Sequence, residues 1–140
     1  VTLSGQNILD SPFTLIARPG GVSPLHSTTE AVSEPSATEE FTAGTEAEFI
    51  VQARDAESNP SDEDVGQVTC AIEWLNYDRT TQPTVVDDED LNTAQYGKYF
   101  FGTAVYLGSG RYRVRYTALR EGTHKMYVSI NGLNVSGSPF

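Results

Sequence analysis

An all-β fold of two packed antiparallel sheets is what this sequence predicts, and three observations predict it. Apolar residues recur with a period of two in one stretch after another, glycine-bearing turn signals separate those stretches, and no segment carries the 3.6-residue period of an amphipathic helix. The scale fits: 140 residues supply one domain core and are too few for two. Apolar residues make up 38%, with six Phe, seven Tyr and one Trp, which keeps the chain out of the disordered class although 19 acids face 9 Lys and Arg.

The two ends of the chain repeat each other. Val1-Thr-Leu-Ser-Gly5-Gln-Asn7-Ile-Leu-Asp-Ser11-Pro12-Phe13 aligns with Val128-Ser-Ile-Asn-Gly132-Leu-Asn134-Val-Ser-Gly-Ser138-Pro139-Phe140 at a constant offset of 127, with six of thirteen positions identical. The chain therefore reads as a slice of a tandem array, running from the tail of one unit through the tail of the next. After the Ser/Thr/Glu-rich, Pro35-bearing connection at 33–45, Ala47-Glu-Phe49-Ile-Val51-Gln-Ala53 alternates with its odd positions inward. Val68-Thr-Cys70-Ala-Ile72-Glu-Trp74 alternates with its even positions inward, and Tyr112, Val114 and Tyr116 do the same between arginines. Met126, Val128 and Ile130 form the last inward set. Gly108-Ser109-Gly110, Glu121-Gly122 and Asn131-Gly132 fall between runs, where glycine supplies the positive φ of a tight hairpin, so a sequential meander is expected. Residues 76–95, with Pro83 and Asp87-Asp88-Glu89-Asp90, read as a long solvated loop.

Composition excludes several functions. A net charge of −10 argues against nucleic acid, whose phosphates need clustered cations. The charge is uneven: residues 30–90 carry a net −15 and residues 91–140 a net +5. No apolar run is long enough for a membrane helix, so no direct membrane contact is expected. Cys70 is the single cysteine, which rules out an internal disulfide and a cysteine zinc site, and points to a reducing compartment. Its inward phase reads as a buried, inert thiol. His26 and His124 have no partner pattern for acid–base or nucleophilic work, and neither a phosphate-binding glycine loop nor a nucleophile elbow is present, so no catalytic residue and no cofactor are expected. The acidic run, with Asp62-Glu63-Asp64, offers hard oxygen ligands without the spacing of a calcium loop, and no metal site is assigned. Asn134-Val135-Ser136 matches a glycosylation acceptor, a short pattern that chance also produces.

Four segments together resemble the filamin-type immunoglobulin-like repeat. They are Ala43-Gly44-Thr45 through Asn59-Pro60, Gly110-Arg-Tyr112-Arg-Val114-Arg-Tyr116, Gly122-Thr-His124-Lys-Met-Tyr-Val128, and Gly132-Leu-Asn-Val135-Ser-Gly137-Ser138-Pro139-Phe140. The resemblance implies an immunoglobulin-like β-sandwich of about seven strands, with Phe140 anchoring a closing strand to the core and His124 as a structural ring at the surface. It also divides the chain into closing strands of a preceding repeat, residues 1–18, and a repeat with an acidic insertion, residues 19–140. Residues 14–18 continue past Phe13 as a closing strand would, so residues 1–18 are also candidates for strand exchange or self-association with another copy.

In such repeats the edge between strands C and D accepts a partner peptide as an added strand. Carried over, the candidate edge comprises Thr69, Ala71, Glu73 and Leu75 with Phe100, Ala104 and Tyr106, on the expectation that Phe101, Thr103, Val105 and Leu107 face inward. Arg111, Arg113 and Arg115 form an outward basic stripe, read either as pairing with Glu48 and its neighbours or as docking an acidic partner. The function implied is that of a non-catalytic spacer or scaffold module whose partners are proteins, neighbouring repeats and cytoskeletal or axonemal components. An extracellular adhesion module, or one binding calcium or carbohydrate, is the alternative.

Overall fold

The computed structural model describes residues 2–7, 14–30, 42–76 and 98–140. The Ser11-Pro12-Phe13 triplet, most of the 33–45 connection and all of the acidic 76–95 loop after Asn76 lie outside the described residues. The elements run β1 (Thr2–Leu3), β2 (Gln6–Asn7), a 3-10 turn (Pro24–His26), β3 (Thr28–Glu30), β4 (Glu46–Gln52), β5 (Val68–Trp74), β6 (Tyr99–Gly108), β7 (Arg111–Thr117), β8 (His124–Ile130) and β9 (Leu133–Asn134). Among the described residues no helix is long and apolar enough to cross a membrane.

Strands β3 to β9 make one hydrogen-bonded antiparallel sheet in the order β3-β4-β7-β6-β5-β8-β9. The sheet curls because β6 belongs to both halves. Its start pairs with β5, from Glu73 opposite Tyr99 to Cys70 opposite Gly102, and from Thr103 opposite Arg115 onward it pairs with β7. Two layers result, β3-β4-β7 and β5-β8-β9, with β6 wrapping the edge between them. The inward residues predicted from alternation fill the space between the layers. Val51, Ala53, Val114, Val128 and Ile130 are 0% exposed, and Phe49, Cys70, Ile72, Tyr112 and Met126 are buried around them. Phe140 packs against this core and exchanges both backbone bonds with Met126, its N–H donating to Met126 O at 2.8 Å and its carbonyl oxygen accepting from Met126 N at 2.9 Å.

The strands do not form a simple meander. The 108–110 and 131–132 turns do join antiparallel neighbours, with φ of +97°, +54° and +67° at the first and +50° and +83° at the second. Glu121-Gly122, expected to make a hairpin, instead carries the chain from one layer to the other, because β8 pairs with β5 rather than β7. A Cβ at Gly122 would lie 2.5 Å from Asn76 Oδ1 and 3.3 Å from Trp74 Nε1, so glycine serves close approach as well as its φ of +113°.

The first hairpin repeats the last in three dimensions. In β1–β2, Thr2 faces Asn7 and Leu3 faces Gln6; in β8–β9, Ser129 faces Asn134 and Ile130 faces Leu133. These are the same pairs shifted by 127, and the turn dihedrals agree, with Ser4 and Gly5 at +50° and +80°.

Candidate functional site

The surface least explained by folding is the outer side of β6. Its ten residues carry no charge, and each half has one strand partner among the described residues, so it lacks the charges that usually protect a sheet edge. Tyr99, Phe101, Val105 and Leu107 point outward, Phe101 at 68% exposure and Val105 at 54%. Around the bend, a groove of about 490 Å³ is lined by Tyr99, Phe101, Val105 and Leu119, with Glu46 and Arg115 at its polar side.

This reverses the expected phase of β6. Phe100 is 2% exposed, and Ala104 and Tyr106 pack against the core, whereas Phe101, Thr103, Val105 and Leu107 are the outward set. The cause is register. Ile72 faces Phe100 and Cys70 faces Gly102, and residues paired directly across an antiparallel ladder share a face. Since Ile72 and Cys70 point inward, Phe100 and Gly102 must as well. The larger apolar set is excluded where the strand crosses between layers: a Cβ at Gly102 would already sit 2.9 Å from Arg115 O and 3.0 Å from Cys70 Cβ.

The β5 part of the candidate edge has its expected orientation but not an open backbone. Thr69, Ala71 and Glu73 lie on the outer face of β5, and Leu75, just past its end, is 44% exposed. Over residues 70–73 the strand is hydrogen-bonded to β6 on one side and β8 on the other, so a peptide has no free β5 edge there. Thr69 Oγ1 lies 2.6 Å from Ser129 Oγ. Ala71 stands between Phe101 and Tyr127 in the register. Glu73 accepts from Lys98 Nζ at 2.6 Å and Tyr127 Oη at 3.0 Å. Those two donors, Lys98 foremost, hold its carboxyl below the usual range, and Glu73 raises Lys98 in return.

The arginine stripe is occupied by cross-strand ion pairs. Arg115 reaches Glu48 at 3.2 Å and Glu46 at 3.8 Å, Arg111 reaches Glu30 at 3.3 Å, and Arg113 lies 4.0 Å from Glu48. Each exposed pair is worth roughly a few tenths of a kcal/mol, so these contacts add little to stability.

A fastening that alternation could not reveal centres on buried Asp55. Its carboxylate accepts from Glu57 N at 3.0 Å and Asn59 N at 2.8 Å on Oδ1, and from Gly20 N at 2.9 Å and Asn59 Nδ2 at 3.0 Å on Oδ2. The signal was present in Asp55-Ala56-Glu-Ser-Asn59, an acceptor followed by a turn, but the distant partner Gly20 was not readable. Nearby, Tyr112 Oη donates to Asp64 and accepts from Val65 N at 2.8 Å. Burial, then Asp64, pushes the Tyr112 hydroxyl up to about 12.

These bonds predict acid sensitivity. The Asn59 side chain and then the Gly20 N–H lower Asp55, Tyr112 and then the Gly66 N–H lower Asp64, and Glu73 is lowered as described. A carboxylate whose folded value is depressed contributes fully above its unfolded value of about 4 and loses that contribution as pH falls through the folded value. Thermal melts should be flat from pH 7 to 5 as far as these carboxylates are concerned and fall steeply below about pH 4. Asp55→Ala should lower the melting temperature at pH 7 by more than about 5 °C and flatten that acid limb. An unchanged limb would show that the Asp55 bonds contribute nothing in solution.

The remaining titratable groups make contacts within the fold. Burial drives the Cys70 thiol up to about 12, so at neutral pH it is not a nucleophile. His124 is half-buried, with Nδ1 3.0 Å from Gly122 O and its ring centroid 6.1 Å from that of Phe100, and burial lowers its pKa. His26 is exposed in the 3-10 turn, with Nδ1 2.8 Å from Ser23 Oγ. Among the described residues no cluster of three His, Cys, Asp or Glu is placed to hold a metal ion.

Comparison with known proteins follows the same lines. The crystal structure of the Lin-41 filamin domain matches with a TM-score of 0.57 over 86% of this chain and 93% of that chain, at 17% identity. No curated protein matches the sequence. Residues 25–140 match the Filamin/ABP280 repeat family, whose repeats mediate protein–protein interactions. The curled seven-stranded sheet and this match agree: the chain belongs to the filamin repeat family.

Proposed function

We propose that this chain is a non-catalytic spacer and protein-docking unit of a longer polypeptide built from several such repeats, in a cytoskeletal or axonemal assembly. Residues 1–18 are the closing strands of the preceding repeat, and residues 19–140 are the unit itself. The observation that carries this reading is the shared register of the two hairpins, β1–β2 and β8–β9, at the offset of 127 that also relates their sequences. Removal of residues 1–18 should leave the melting temperature within about 2 °C, since Leu15 and Ile16 are 92% and 82% exposed. A large drop would place the segment in this unit's own core. If residues 1–18 instead exchange between copies, the full chain would sediment as a dimer and the shortened one as a monomer.

Docking would use the outer side of β6, with an extended partner strand placing alternate side chains over Phe101, Val105 and Leu107. Peptides selected from a displayed library should lose at least tenfold in affinity to Val105→Asp. That variant should melt within about 2 °C of the parent because Val105 is half exposed. Selected peptides indifferent to Val105→Asp and Phe101→Asp would rule this surface out.

A further inference from the structure

Asn134-Val135-Ser136 is the single place where an asparagine is followed by a non-proline residue and then a hydroxyl; Asn59-Pro60-Ser61 has the hydroxyl, but its proline bars it. A three-residue match alone is weak, and the structure adds orientation. Val135 is 2% exposed, and its N–H donates to Val128 O at 3.0 Å. Asn134, at the end of β9, and Ser136, in the turn that follows, are both exposed on either side of buried Val135, so the amide and the hydroxyl of the triplet are accessible together. Asn134 stands opposite Ser129, whose hydroxyl meets that of Thr69. The acceptor thus sits on the outermost strand of its layer, directly across from a small, uncharged hydroxyl side chain. Its counterpart in the first hairpin, Asn7, is followed by Ile8-Leu9 and lacks the hydroxyl, so the repeated hairpin supplies one acceptor and not two.

We propose that Asn134 is an N-glycan acceptor when the chain enters a secretory compartment. In the transfer, the Asn134 side-chain nitrogen attacks C1 of the first sugar of a polyprenyl-diphosphate-linked oligosaccharide. The C–N bond forms, the C1–O bond breaks, the diphosphate leaves with the bonding electron pair, and the amide nitrogen gives one proton to a base. The oligosaccharide projects from the edge of the β5-β8-β9 layer opposite β6, since the order there is β6-β5-β8-β9. It therefore leaves the proposed docking strand uncovered, and the two proposals stand or fall separately.

The test is to direct the full chain, behind a cleavable signal peptide, through the secretory pathway of a eukaryotic cell and to read the pooled intracellular and secreted protein. The parent chain should give a heavier band that peptide-N-glycosidase collapses to the light one, with residue 134 recovered as aspartate by mass spectrometry. Asn134→Gln and Ser136→Ala should give the light band alone, and Ser136→Thr should keep or increase the heavy one. Only a light band from the parent chain and from Ser136→Thr overturns the proposal, as does a heavy band that survives in Asn134→Gln.

Discussion

Phe100→Ala is expected to destabilise the domain by about 3–5 kcal/mol, while Phe101→Ala, one residue along, should cost less than about 1 kcal/mol. Phe100 is 2% exposed, faces Ile72 across the ladder and lies against the His124 ring, so truncation leaves a cavity between two packed layers. Phe101 is 68% exposed on the other side of the same strand and has little burial to lose. Urea unfolding of the two variants, compared at equal m-values, reads the difference directly. Equal losses, or a larger loss at Phe101, would mean that β6 is rotated by one residue, because a slip of one position exchanges the two faces of a strand.

Gly102→Ala should cost about 1–3 kcal/mol even though only a methyl group is added. Gly102 is the last β6 residue facing β5 before Thr103 turns to β7, and three groups crowd the missing side chain: Arg115 O at 2.9 Å, Cys70 Cβ at 3.0 Å and Val114 Cγ1 at 3.2 Å. The first is backbone of β7, which cannot move without disturbing the Thr103–Arg115 pairing. Gly21→Ala is the matched control, since nothing lies within 4 Å of a Cβ there, and it should be neutral. A neutral Gly102→Ala would show that the two layers are further apart at the crossing than described.

Legibility followed the physics of each segment. Phe49, Val51, Cys70, Ile72, Tyr112, Val114, Met126 and Val128 were readable because each lies in a run with one clearly apolar face, and all are buried. In β6 both faces are apolar, so alternation carried no sign. The phase then came from pairing with β5, some thirty residues earlier in the chain. The candidate edge suffered accordingly: Thr69, Ala71 and Glu73 kept their outward orientation, while Phe100, Ala104 and Tyr106 turned to the core and the exposed apolar surface moved to their neighbours. Asp55 was not singled out by alternation, and its bond to Gly20 spans 35 positions, a partner that no local pattern encodes.

By itself, then, the amino-acid order determined the period, the hairpin turns at 108–110 and 131–132, most of the interior and the recurrence of the closing hairpin, since these depend on neighbours one to four residues apart. Tertiary structure alone decided which face of β6 is buried, where the chain crosses from β7 to β8 and what Asp55 holds. Those outcomes depend on register and contact distance between segments remote in the chain, where a single ångström at Gly102 excludes a methyl group and so selects the face.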